Sequence, residues 1–148
     1  RGMRGALLFP GASGGPAVDR ELAARGWDLS LQARRYRGFI GRFAAAGKAL
    51  AARSVTPETA FLVRTLLIHE YRKIHLKDPQ LPLALLPADW AGRSAYRLCR
   101  GLYARLFPAA EKHLSECARR LHRALPRVDA AARARFGGIK LKSRRGDR

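Results

Sequence analysis

The segment from Arg64 to Pro79 holds the densest run of chemistry-bearing side chains in the sequence. His69, Glu70, Tyr71, Arg72 and Lys73 are consecutive, with Arg64 before them and Asp78 after. The turns that precede this cluster are apolar on nearly every side, so its polar groups must find partners wherever they are buried. Two arrangements meet that need. Arg64, Glu70 and Arg72 can form ion pairs that tie this helix to its neighbours. Alternatively, the cations can build a wall for an anionic ligand, which guanidinium groups suit because their forked donors match carboxylate and phosphate oxygens. The two are compatible, since an arginine anchors a phosphate only when its own geometry is fixed.

Catalytic constellations find little support. His69-Glu70 lacks the second histidine of a zinc-protease helix. His113 and Cys117 stand four residues apart, a spacing that suits two metal ligands, but His122 is out of register and two ligands do not make a zinc site. Ser13, Ser30, Ser54, Ser94, Ser115 and Ser143 sit in no nucleophile-elbow pattern. No paired-carboxylate signature appears. Neither a catalytic residue nor a metal or cofactor is expected, and the chain reads as a non-enzyme.

Helical elements must position the central cluster. Leu31, Tyr36, Phe39, Ile40, Phe43 and Leu50 recur at spacings of three and four and predict a helix from Asp28 or Ser30 to about Ala52. Thr56-Pro57-Glu58 is a helix start, with a capping hydroxyl, a proline at the first helical position and an acid at the positive end of the dipole. The helix it opens is expected to run to Lys77 and to stop at Asp78-Pro79, because the residue before proline avoids the helical region. Phe61, Leu62, Val63, Leu66, Leu67 and Ile68 lie almost all round it, which predicts a central helix buried on most sides. Residues 78–92 read as a proline-studded strap. Asp89 is expected to begin a further helix, which Pro108 kinks or divides before about Leu121 or Leu125.

The ends read differently. Ala6-Leu7-Leu8-Phe9 predicts a strand remnant, and residues 11–18 a Gly-rich linker, so 1–18 is assigned to the end of a preceding domain. The helical domain is assigned to 19–125. Basic residues then dominate: Arg119, Arg120, Arg123, Lys140, Lys142, Arg144 and Arg145 are among 11 cations after Ala118, set against Asp129 and Asp147. Residues 126–148 are expected to form a disordered basic tail with weak, salt-sensitive affinity for nucleic acid.

The 148 residues suffice for one compact domain and are 47% hydrophobic. The charge is lopsided, +19 from 30 basic and 11 acidic residues. Such a field favours anionic partners. Arginine supplies 24 of the cations and alanine 26 residues of the chain, a bias that GC-rich coding also produces. No secretory signal or membrane-length apolar run occurs, and a cytoplasmic chain with no membrane partner is expected. Cys99 and Cys117, if carried on one helix, stand about 27 Å apart and cannot pair.

Phe61-Leu-Val-Arg64, Leu67-Ile-His-Glu-Tyr-Arg72, Lys77-Asp-Pro-Gln-Leu-Pro82 and Leu85-Leu-Pro-Ala-Asp-Trp-Ala-Gly92, preceded by Trp27-Asp-Leu29 and Tyr36-Arg-Gly-Phe39, form an ordered series. Together these motifs resemble the C-terminal domain of the PaaX-like repressors. The likeness covers about residues 20–115. Ala91 stands where the family often has proline. The resemblance implies an all-α module that closes a three-part protein, after a winged helix that reads the operator and an α+β domain. It implies a homodimeric repressor of aromatic catabolism that releases DNA on binding an aryl-CoA thioester, typically phenylacetyl-CoA. Without the winged helix, the module is expected to sense effector or to dimerise rather than to recognise an operator. A CoA thioester carries phosphates and an apolar acyl group, so its pocket needs cations beside aromatic walls. Arg64, His69, Glu70, Tyr71, Arg72, Lys73, Asp78 and Trp90 are the candidates, either for the effector or as a structural polar cluster. A free-standing basic nucleic-acid-binding protein is the alternative, and a small CoA-binding enzyme the third reading.

Overall fold

The structure, a computed structural model, describes residues 14–52, 54–125 and 128–138. Among these the fold is all-α, as expected, with no strand. The expected strand remnant lies outside the described residues.

Helix α1 spans Pro16–Gly26 and α2 spans Leu29–Ala51. Helix α3 is Pro57–His75, and a single 3₁₀ turn, Leu83–Leu85, interrupts the strap. The long α4 runs from Ala91 to Arg120, and a short α5, Ala130–Ala134, leads into a second 3₁₀ turn, Arg135–Gly137. Local chemistry accounts for the starts of α2 and α3. The Asp28 carboxylate accepts from the Leu31 amide at 2.7 Å, and the Thr56 hydroxyl from the Thr59 amide at 3.1 Å.

Three expectations change. The part of the proposed linker from Pro16 onward is helical, because Pro16 fits the first turn and Ala23 and Ala24 favour continuation. Helix α4 starts two residues after Asp89, whose carboxylate instead pairs with Arg37 at 3.5 Å. Pro108 neither divides nor ends α4. It lies on an exposed face, where one missing amide is tolerated within a 30-residue helix.

Helix α4 is the hub of the domain. It packs on α3, on α2 and on the last 3₁₀ turn. Ala60 of α3 and Ala95, Cys99 and Ala110 of α4 are fully hidden, and such small residues let helices approach closely. Phe39, Tyr36 and Leu67 are also fully enclosed, and Phe39 and Leu67 each contribute about 1.5–3 kcal/mol by burial. Helix α3 is buried along one face only, through Ala60, Arg64, Leu67, Tyr71 and Ile74. Leu62 and Leu66 remain more than half exposed, so hydrophobicity all round α3 did not translate into burial all round. Both cysteines lie on α4 and are free.

Residues 128–138 depart from the expected disordered tail. Asp129 caps α5 through the Ala132 amide at 2.6 Å, and Val128 and Phe136 pack against the core. A few apolar residues suffice to dock this segment despite its basic composition. Lys140, Lys142, Arg144 and Arg145 lie outside the described residues. Arg119 and Arg120 end α4, and Arg123 is exposed just after the turn that follows it.

Candidate functional site: an aromatic cleft with an arginine rim

Helix periodicity spreads the central cluster over several faces, with Arg64 and Lys73 each bordering two of them. Arg64 faces α4. Its side chain is only 10% exposed, donates to Glu111 at 2.5 Å and lies 5.3 Å over the Phe107 ring. This is a structural ion pair. His69 and Arg72 point to the outer side of α3, where they border a cleft of about 400 Å³ with Arg64, Thr65, Ile68, Lys73 and Leu76.

Glu70 and Lys73 turn toward α2. Glu70 accepts from Lys73 at 3.0 Å and lies 3.4 Å from Arg42. Chiefly the Lys73 hydrogen bond, with help from the nearby charges of Lys73 and Arg42, holds the Glu70 carboxyl below its usual range. Arg34, Arg35 and Lys77 extend this groove between α2 and α3, leaving it strongly cationic around a single carboxylate. His69 and Glu70 thus occupy different grooves and form no acid–base pair.

Tyr71, Asp78 and Trp90 meet in a cleft of about 630 Å³ where the end of α3, the strap and the start of α4 converge. The strap is pinned there by Asp78. One carboxylate oxygen accepts from the Gln80 amide at 2.9 Å, and the other accepts from the Tyr36 hydroxyl at 2.6 Å. Gln32, buried on α2, donates to the Ile74 carbonyl at 2.8 Å and so satisfies the last turn of α3. Tyr36 meets the Trp90 indole edge-on at 6.0 Å, and Tyr71 stacks on His75 at 5.3 Å. Gly92 permits the indole to lie across the helix start. A Cβ there would stand 2.5 Å from Trp90 Nε1.

Leu81, Leu83 and Leu86 supply the aliphatic wall, and Tyr96 a further ring. Arg93 and Arg97 stand on the rim, both exposed. Burial, reinforced by the hydrogen bond to Asp78, raises the Tyr36 phenol well above its usual range. Burial also pushes Tyr71 up to about 12. Both phenols are therefore neutral near pH 7 and serve as walls and donors, not as bases. The cleft suits a ligand with an apolar ring and anionic groups.

Of the eight candidates, Tyr71, Asp78 and Trp90 line this cleft, Arg64, His69, Arg72 and Lys73 line a second one on α3, and Glu70 borders the α2–α3 groove with Lys73. Sequence reasoning missed the rim. Arg93, Tyr96 and Arg97 share a face at spacings of three and four, and that pattern beside Trp90 was the available signal. Cys117 and His113 do approach, at 3.5 Å, but among the described residues no group of three metal-ligating side chains forms. No described helix is long and apolar enough to cross a membrane.

Comparison with known proteins adds two findings. Residues 27–116 match the family described as PaaX-like protein C-terminal domain. Over 118 residues the chain is 42% identical to the transcriptional repressor PaaX of Escherichia coli (strain K12). That alignment covers 78% of this chain and 37% of the relative, so the chain spans little more than a third of the repressor it resembles.

Proposed function

The chain belongs to the family of PaaX-like C-terminal domains, and from that premise we propose that it is the effector-sensing module of a transcriptional repressor. Its ligand is an aryl-CoA thioester such as phenylacetyl-CoA, held in the cleft between α3, the strap and α4. One observation carries this reading: the cleft joins four aromatic rings and three leucines to two exposed arginines. The apolar wall suits the aryl group, and the arginine rim suits the phosphates. In the full repressor, the module would couple ligand occupancy to winged-helix domains in a homodimer on operator DNA. The charged residues of α3 then hold and solubilise the scaffold rather than react.

Calorimetric titration of the chain with phenylacetyl-CoA tests the proposal. Binding is expected, and replacing both rim residues (Arg93→Gln with Arg97→Gln) should weaken it by roughly tenfold or more, the scale of two charge-assisted contacts. Arg72→Ala, on the outer side of α3, should leave affinity unchanged. No binding, or an Arg72→Ala effect equal to that of the rim pair, refutes the assignment.

A further inference from the structure

The ring of Phe136 sits in a slot made by three tyrosines. It meets Tyr71 at 5.4 Å and 82°, Tyr103 at 5.5 Å and 67°, and Tyr96 at 6.0 Å and 64°. All three are steeply tilted, edge-to-face contacts, the geometry that aromatic quadrupoles favour. Two of these tyrosines, Tyr71 and Tyr96, also line the cleft. Slot and cleft therefore share a wall.

The segment that delivers Phe136 is lightly held. Helix α5 has five residues, none of them buried. A hydrogen bond from the Tyr103 hydroxyl to the Ala132 carbonyl, 2.8 Å, ties it to α4. Phe136 itself has φ 55°, in the left-handed region, and Gly137 and Gly138 follow at 84° and 90°. Glycine adopts such angles freely, but a bulky aromatic residue does not. The residue whose ring fills the slot is thus the one whose backbone resists being there, a strain that ring packing must outweigh.

We propose that the Tyr71–Tyr96–Tyr103 slot is the aryl subsite of the cleft and that Phe136 is its built-in occupant, displaced when a ligand's phenyl group enters. The inference rests on the reading of the cleft as an aryl-thioester site, and it adds how occupancy is registered. The incoming ring replaces one phenyl group by another, the Phe136 backbone relaxes, and residues 128–138 leave α4. Ligand binding is thereby converted into release of a chain segment. The side chains of Arg133 and Arg135 are exposed throughout, but the released chain around them can take the extended form that trypsin cleaves.

The test follows tryptic cleavage after Arg133 and Arg135 by mass spectrometry, with phenylacetyl-CoA, with CoA and with phenylacetamide, which carries the ring without the nucleotide. The two aryl compounds should speed cleavage there, and CoA should not. Phe136→Ala, which empties the slot, should bind phenylacetyl-CoA roughly tenfold more tightly, because no self-ligand has to be expelled. Its affinity for CoA should be unchanged. Should circular dichroism show Phe136→Ala unfolded, Phe136→Leu replaces it, with a smaller gain expected. If phenylacetyl-CoA binds while cleavage and variant affinity stay unaltered, the subsite is overturned and the cleft assignment stands. If phenylacetyl-CoA does not bind, the cleft assignment fails and phenylacetamide alone decides the subsite. Tighter phenylacetamide binding to the variant than to the unaltered chain upholds it, and equal binding overturns it.

Discussion

Arg64 and Arg72 carry the same charge eight residues apart and border one cleft, yet their burial and partners differ. Arg64 is clamped between Glu111 and Phe107, while Arg72 stands in solvent on the outer side of α3. Removing one partner of an enclosed ion pair strands the other, whereas an exposed arginine contributes little. Burial also shapes the uncharged acids. It raises Cys99 from its usual 9.0 to about 12, and Tyr71 from 10.0 to about 12. Both are raised in the folded state, so the stability they contribute is fully present below pH 9 and is lost as pH rises toward 12. In that window the unfolded chain has released protons that the native chain retains. We expect the urea midpoint to hold steady to about pH 8.5 and to fall from about pH 9.5, with a shallower fall in Cys99→Ala, followed by circular dichroism. Equal pH slopes for the two proteins would remove Cys99 from the account. Which face each residue of the 64–73 cluster takes was legible in the sequence, since 100° per residue separates Arg64 from Arg72 and puts Tyr71 beside Arg64. What each face meets was not, because Glu111 and Arg42 reach it from distant segments.

Elements whose ends are set by local chemistry were the most legible. Asp28 and Thr56-Pro57-Glu58 mark α2 and α3 because a cap needs only the first turn. The Asp89 misreading has the same origin: an acid before a helix resembles a cap, but a distant arginine draws this one away. The entry to α4 depends instead on Gly92, and for tertiary reasons. A methyl group there would meet Trp90 at 2.5 Å and Tyr36 at 3.2 Å. Gly92→Ala should therefore destabilise the fold by about 1–3 kcal/mol, although alanine is the better helix former. Gly101, on the same helix with open space around it, gives the contrast: Gly101→Ala should stabilise by about 0.5–1 kcal/mol. Urea unfolding of both variants checks this, and a stable Gly92→Ala protein would show that the indole does not lie across the helix start.

At the scale of the molecule, the all-α architecture and the family motifs were readable because they rest on helical periodicity and on an ordered series of short segments. The hub was misplaced. Helix α3 is the more continuously apolar helix, but the 30-residue α4 contacts more of the fold and buries the small residues that bring helices together. Phe136 was invisible for the opposite reason: one aromatic residue in a basic stretch predicts nothing until three tyrosines are seen around it. The cations of the described residues spread over several faces, and the surfaces that compete for an anion include the arginine-rimmed cleft, the α2–α3 groove and the α3 cleft of Arg64, His69, Arg72 and Lys73. Backbone amide chemical shifts, mapped during titration with phenylacetyl-CoA, choose between them. The account predicts shifts concentrated at Tyr36, Tyr71, residues 78–86 and 90–97 and the displaced segment 128–138, with Gly38, Arg42 and Lys73 silent. Shifts centred on Gly38, Arg42 and Lys73 with 90–97 silent, or none at all, would contradict it.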